Sequence, residues 1–161
     1  MKKLYSVFYG KTTASSLKTL KLPASLKTIG ENAFACCDAL TTVTFAKNAQ
    51  VMEIAKDAFV MCVQLKEIKL PDSVEHVGAF AFANCLNMKK VDLGKGVTSV
   101  GDNAFMSCYS MVSLKAPDTL QEIGSDLLDD CSLKLVVTCP GNSAMDVYIR
   151  RYYSRLKVKN K

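Results

Sequence analysis

Seven cysteines and one histidine are the residues in this chain whose types suit metal binding, disulfide formation or nucleophilic catalysis. Thiolate and imidazole ligands for zinc usually come in close pairs, such as two cysteines two to four residues apart, matched by a second pair elsewhere. Here Cys37, Cys62, Cys85, Cys108 and Cys131 lie more than twenty residues apart, and only Cys36 and Cys139 fall outside that series. The single His76 leaves no second imidazole for a metal site or a relay, and "GKGV" at residues 94–97 reads as a turn, not a phosphate loop. No catalytic residue, metal ligand or cofactor is assigned. The five periodic thiols read as small buried hydrophobes. Cys36 and Cys139 are the expected reactive ones, and an odd total leaves at least one thiol unpaired.

The cysteine spacing belongs to a larger pattern. Phe34, Phe59, Phe82 and Phe105, followed by Leu128, are separated by 25, 23, 23 and 23 residues. The cysteines trail them by three places throughout, and Gly30, Ala55, Gly78, Gly101 and Gly124 keep the same steps. Three independent markers sharing one period define a tandem repeat of the length used by leucine-rich arrays. A catalytic motif occurs once; a string that recurs belongs to a building unit.

Each unit reads in three parts. A short extended stretch carries Leu26/Ile29, Val74/Val77 or Val97/Val100. A glycine then ends it, where backbone approach is close or φ is positive. Asn32, Asp57, Asn103 or Asp126 follows two residues later and is expected to cap a short helical turn. The third part is a strand with apolar residues three and then two apart, as in Leu40/Val43/Phe45 and Leu65/Ile68/Leu70, which is pleat alternation with one face buried. In the fifth unit "SLKLVV" reads as running one place early. No single unit can bury its own apolar face, so the units must stack, with neighbour contacts supplying the core.

At the front, "SSLKTLKLP" reads as the end of a further repeat and "LYSVFYG" as its degenerate first half. The apolar stretch "LYSVFY" is too short for a secretory leader before Gly10 and Lys11 interrupt it, so no signal peptide is expected. The array thus reads as part of a longer one. At the back, Pro140-Gly141 marks a turn and Asn142 or Ser143 can cap a helix. Met145, Tyr148/Ile149, Tyr152 and Leu156 then recur at helical spacing, as a face that seals the last coil.

Hydrophobic residues make up 49% of the 161 and charged residues 22%, an ordinary globular composition. No apolar run is long enough to span a bilayer, so membrane insertion is not expected. The net charge of +6 resides entirely in residues 150–161, which hold six bases and no acid; the remainder balances 15 against 15.

The unit "LPxSLKxIGxNAFxxCxxLxxVxF" closely resembles the BspA-type (Treponema pallidum-type) leucine-rich repeat over residues 12–138, and "CPGNSAMDVYIRRYY" resembles the helical end piece that follows such arrays. Phe80, Ala55 and Leu128 depart from the pattern at single corners. The expected fold is a leucine-rich-repeat solenoid of stacked coils of about 23 residues, mainly short β-strands with short helical turns, plus a C-terminal capping helix. Residues 1–22 form a partial, irregular N-terminal repeat, 23–138 five repeats, and 139–161 the cap with its helix and basic tail. The resemblance implies an extracellular or cell-surface protein that adheres to a protein partner, such as a host surface or matrix protein, without catalysis.

The candidate binding residues are those pointing outward on the second strand: Thr19, Lys21, Thr42, Thr44, Glu67, Lys69, Lys90, Asp92, Ser113 and Lys115. An alternative polyanion site uses Arg150, Arg151 and Arg155 beside Tyr148, Tyr152 and Tyr153, although bases near a helix C-terminus also simply complement its dipole. Nucleic acid is the less favoured partner, a bare spacer role is a third reading, and the oligomeric state is open.

Overall fold

The structure, a computed structural model, describes residues 3–4 and 16–161. The reading of "LYSVFYG" beyond Leu4 lies outside the described residues. Two series of parallel strands alternate along the chain. The first comprises β1 (Lys3–Leu4), β3 (Thr28–Ile29), β5 (Glu53–Ile54), β7 (His76–Val77), β9 (Ser99–Val100) and β11 (Glu122–Ile123), joined in one six-stranded sheet. The second comprises β2 (Thr19–Leu22), β4 (Thr42–Phe45), β6 (Glu67–Lys69), β8 (Lys90–Asp92), β10 (Ser113–Lys115) and β12 (Val136–Cys139). Helix α1 (Ala144–Tyr152) follows, and then β13 (Lys157–Asn160). This second series divides into β2–β4 and a five-stranded sheet of order β13-β12-β10-β8-β6. The architecture is the expected leucine-rich-repeat solenoid, mostly strand, with one helix at its C-terminal end.

The core is a set of ladders, because the repeat step returns each side-chain type to the same place one coil on. Phe34, Phe59, Phe82 and Phe105 are at most 1% exposed and stack with ring centroids 5.2, 5.3 and 5.5 Å apart. Burying a ring of that size contributes about 1.5–3 kcal/mol before packing terms are counted. Beside the rings, the thiols of Cys62, Cys85, Cys108 and Cys131 each donate to the carbonyl of the phenylalanine one coil earlier, at 3.2–3.4 Å.

The corners differ from the expected helical turn. Asn32, Asp57, Phe80, Asn103 and Asp126 all have φ between 52° and 56°. Four residues on, Cys36, Met61, Asn84, Ser107 and Asp130 have φ between 57° and 60°. Asn and Asp are therefore selected for tolerating left-handed backbone, not for capping a helix. The ladder between corners is made by the backbone: Asn32, Phe34 and Cys36 donate to the carbonyls of Lys56, Ala58 and Val60, and later coils repeat the pattern. The glycines serve close approach. A Cβ on Gly101 would stand 2.5 Å from the Ala79 nitrogen of the preceding coil.

The fifth coil keeps register, contrary to the expectation of a strand one place early. Leu114 faces Val137, while Leu133 stands 70% exposed outside the core. The second coil is the irregular one: its two extra residues lie between β4 and β5, in a loop where Asn48 has φ 61°. Strand pairing in the second series is interrupted beside that loop, between β4 and β6.

Two substitutions test the corner with opposite signs. Gly101→Ala should lower stability by about 1–3 kcal/mol, since backbone must move to admit the methyl group. Phe80→Asn should raise it by roughly 1 kcal/mol by relieving a bulky residue in left-handed backbone. Urea midpoints at unchanged m-value read both.

Candidate binding face

In the five-stranded sheet the register sets Glu67, Lys90, Ser113, Val136 and Lys157 side by side as one column, and Lys69, Asp92, Lys115, Thr138 and Lys159 as the next. On the two-stranded part, Thr19 faces Thr42 and Lys21 faces Thr44. All ten outward residues singled out from the sequence point away from the core as expected, with Asp92 and Ser113 half-buried and the others exposed. A groove of about 840 Å³ runs over the sheet, centred on the interruption between β4 and β6. Thr42, Thr44, Glu67, Lys69, Lys90, Asp92, Ser113 and Lys115 line it, whereas Thr19 and Lys21 lie outside its lining. Asp92 is held in place: Lys115 Nζ stands 3.5 Å from its carboxylate, and the Gly94 N–H donates to it at 3.2 Å. An exposed pair of this kind contributes at most about 1 kcal/mol, so Lys115 can exchange Asp92 for a partner's carboxylate at small cost.

The sequence reading missed Lys157 and Lys159. Residues 157–160 are a strand, not a solvated tail, and continue the sheet past β12. The alternation of Lys157, Val158, Lys159 was the only available signal, and it is short.

The arginines of the polyanion reading are divided. Arg150 Nε donates to Asp146 at 2.9 Å, and the same guanidinium reaches Asn160 at 3.4 Å. Arg151 lies over the Tyr152 ring at 5.2 Å. Arg155 lines a separate cavity of about 260 Å³ that also contains Asp129 and Asp130. Carboxylates beside Arg155 oppose an anionic ligand there.

The helix face also needs correction. Met145 and Ile149 are fully buried as expected, but Tyr152 is 60% exposed, and Tyr153 does the sealing instead. The Tyr148 hydroxyl donates to the Gly124 carbonyl at 2.9 Å and accepts from the Leu127 N–H; Tyr153 donates to Asp129 at 2.7 Å and accepts from the Leu128 N–H. Burial and the bond to Asp129 push the Tyr153 phenol well above its ordinary value. Of the two residues offered as helix cap, Ser143 is the one used, accepting from the Asp146 N–H at 3.3 Å.

Cys139 is fully buried beneath the cap, which overturns its expected reactivity. Cys36 is the exposed thiol, 4.0 Å from the Met61 sulfur. Its acidity is weakened by partial burial, with Asp38 and Cys37 adding to the shift. Burial pushes Cys85 up to about 12. Cys62 and Cys108 are raised by their hydrogen bonds to Cys37 and Cys131 and by burial. The same bonds lower Cys37 and Cys131.

His76 occupies the outward column Thr28, Glu53, His76, Ser99, Glu122 of the first sheet, in which Thr28 and Ser99 are half-buried. Its Nδ1 lies 2.8 Å from the Ser99 hydroxyl, but Glu75 stands 3.9 Å from Nε2, beyond hydrogen-bond reach. The pair therefore lacks the oriented base of a relay. Among the described residues no group of three or more His, Cys, Asp or Glu is placed to hold a metal ion, and no helix is long and apolar enough to cross a membrane.

Stacked parallel coils with ladders of Phe, Cys and aliphatic residues, an outward polar sheet and a sealing helix define a leucine-rich-repeat protein. The chain belongs to the BspA type leucine-rich repeat family, whose sequence profile matches residues 5–53 and 48–156 in six copies. No curated protein sequence matches it. Among solved structures it is similar to a leucine-rich repeat protein from Bacteroides ovatus, with 28% identity over 99% of this chain and a TM-score of 0.79. It is also similar to the leucine-rich repeat protein of T. pallidum (26% over 74%, TM-score 0.67) and to the pneumococcal vaccine antigen PcpA (26% over 77%, TM-score 0.71). The chain spans 39%, 57% and 31% of the lengths of those three proteins.

Two outcomes follow from the geometry. Of the seven thiols, exposed Cys36 should react with a disulfide reagent in the folded protein, faster as pH rises, and half-buried Cys131 should be the next to do so; the five buried ones should react only in urea. Asp146 is held below its ordinary value of 3.8, first by the Asn142 N–H, with Asn160 and Arg150 helping. A depressed pKa contributes stability that is present above 3.8 and lost as pH falls through the lower folded value. Asp146→Asn should therefore lower the thermal midpoint at neutral pH, and the gap from the parent should narrow in acid.

Proposed function

We propose that this chain is a non-catalytic binding module of a surface or secreted leucine-rich-repeat protein, and that it adheres to a protein partner, such as a host surface or matrix protein, through its second-strand sheet. The observation that carries this reading is the groove over that sheet, lined by eight of the ten outward residues expected from the sequence. A sheet held rigid by its own ladders presents side chains at fixed spacing and loses little freedom on binding, which favours affinity. Similarity to a pneumococcal protein described as a vaccine antigen supports a place accessible from outside the cell. The alternative polyanion site at the tail has less support, because Arg150 is engaged with Asp146 and Arg155 faces carboxylates.

The test is capture of proteins from host-cell surface and matrix extracts at low and high salt by three baits: the parent chain, Lys21/Lys69/Lys115→Gln and Arg151/Arg155→Gln. A partner lost only with the lysine variant is the expected result. Salt-sensitive capture lost only with the arginine variant would favour a polyanion site, and no capture by any bait would favour a spacer.

A further inference from the structure

The register of the five-stranded sheet bears on ligand chemistry. Lys69 is on β6, Lys115 on β10 and Lys159 on β13, all in one column, and the sheet order places one strand between each successive pair. With neighbouring strands about 4.8 Å apart, the lysines recur at roughly 9.6 Å. Asp92 and Thr138 occupy the intervening places. Lys21, on β2, continues the alternation with Thr44 between it and Lys69, beyond the interruption. The column is a lysine ruler with a two-strand step.

A polyproline II segment advances about 3.1 Å per residue with three residues per turn, so every third side chain returns to the same face at roughly 9.3 Å. Resting on the reading that this sheet docks a protein, we propose that it receives an acidic segment in polyproline II conformation, with a carboxylate at every third residue, laid across the strands. Charge supports this occupant. The groove lining holds Lys66, Lys69, Lys89, Lys90 and Lys115 against only Glu67 and Asp92. The same two carboxylates argue against a densely charged polymer. Asp92 sits between Lys69 and Lys115 in the column and Glu67 beside Lys90 in the next, where a nucleic acid or heavily sulfated glycan would bring a high density of further negative charge. A peptide brings backbone N–H groups to those places, as Gly94 already does to Asp92.

The experiment uses the full chain and two labelled peptides of equal composition, one of four Glu-Thr-Thr repeats and one with its four glutamates adjacent, read by fluorescence anisotropy. A sulfated heparin oligosaccharide is run beside them. The spaced peptide should bind roughly tenfold tighter than the clustered one, with an affinity that weakens as salt screens the pairs. Lys69/Lys115/Lys159→Gln should erase that preference, while Lys27/Lys47/Lys56→Gln, which removes the same charge from elsewhere, should keep it. Circular dichroism confirms that both variants fold. Equal binding of the two peptides overturns the ruler. Tight heparin binding without a peptide preference identifies a dense polyanion as the occupant instead. If neither peptide binds while protein capture still depends on the sheet lysines, this inference falls and the docking reading stands; if that capture also fails, both fall.

Discussion

Every second backbone N–H at a coil corner must find a carbonyl on the next coil, and that requirement governs the rest of the molecule. Burying an unpaired amide costs on the order of 1–3 kcal/mol, and each coil has three such donors at its corner. They align only if two residues, four apart, adopt left-handed backbone and place the phenylalanine between them. Asn32 with Cys36 and Asn103 with Ser107 do this at positions that tolerate it. Phe80 does it in spite of its bulk, because the bonds from Phe80, Phe82 and Asn84 to Asp102, Ala104 and Met106 hold it there. Gly78, Gly101 and Gly124 let the coils approach closely beside these bonds, while the second coil makes the same bonds with Ala55 in that place.

The last coil has no successor, and the cap is the answer to that deficit. Phe105 donates to Leu127, but the N–H of Leu128, its counterpart one coil on, has no further coil to meet. The Tyr153 hydroxyl accepts it, and the Tyr148 hydroxyl accepts from Leu127. Strand β13 does the equivalent for β12 by continuing the parallel ladder. Asp146 ties these two pieces together. Its carboxylate receives Asn142 and Arg150, and Arg150 also reaches Asn160 on β13. The basic residues that give the chain its net charge are thus partly invested in closing the solenoid.

The ladders were legible in the sequence because identical residues recur at one step: the inward Phe and Cys positions and the outward second-strand positions all lie where the period puts them. What recurs imperfectly was harder. Leu133 looked like the start of an early strand, since its hydrophobicity matches the pattern, yet only the backbone register with Leu114 reveals that Val137 holds the place. Cys139 looked reactive because it falls outside the thiol series, and the helix that buries it is encoded elsewhere. Tyr152 and Tyr153 are adjacent, and helical periodicity favoured the wrong one, because the helix ends at Tyr152 and Tyr153 leaves with non-helical backbone. Lys157 and Lys159 read as a tail because their burial-free alternation has no meaning until β12 supplies an edge.

The outward columns are free of the constraint that fixes the core, so their side chains can vary without disturbing the ladders. A change at Lys69 or Glu67 leaves the Phe and Cys ladders untouched, whereas the backbone register still dictates which neighbour it faces. Each outward residue thus has two coordinates: position along a strand chooses the column, and coil number chooses the place within it. The 25-residue coil adds a third variable. Its two extra residues are confined between β4 and β5, because β4 stays in register with β2 and β5 with β3. The first sheet passes through unbroken while the second divides, and the groove opens where the division falls. An insertion that would be a defect in the core is in this position a way to shape the face without altering the period behind it.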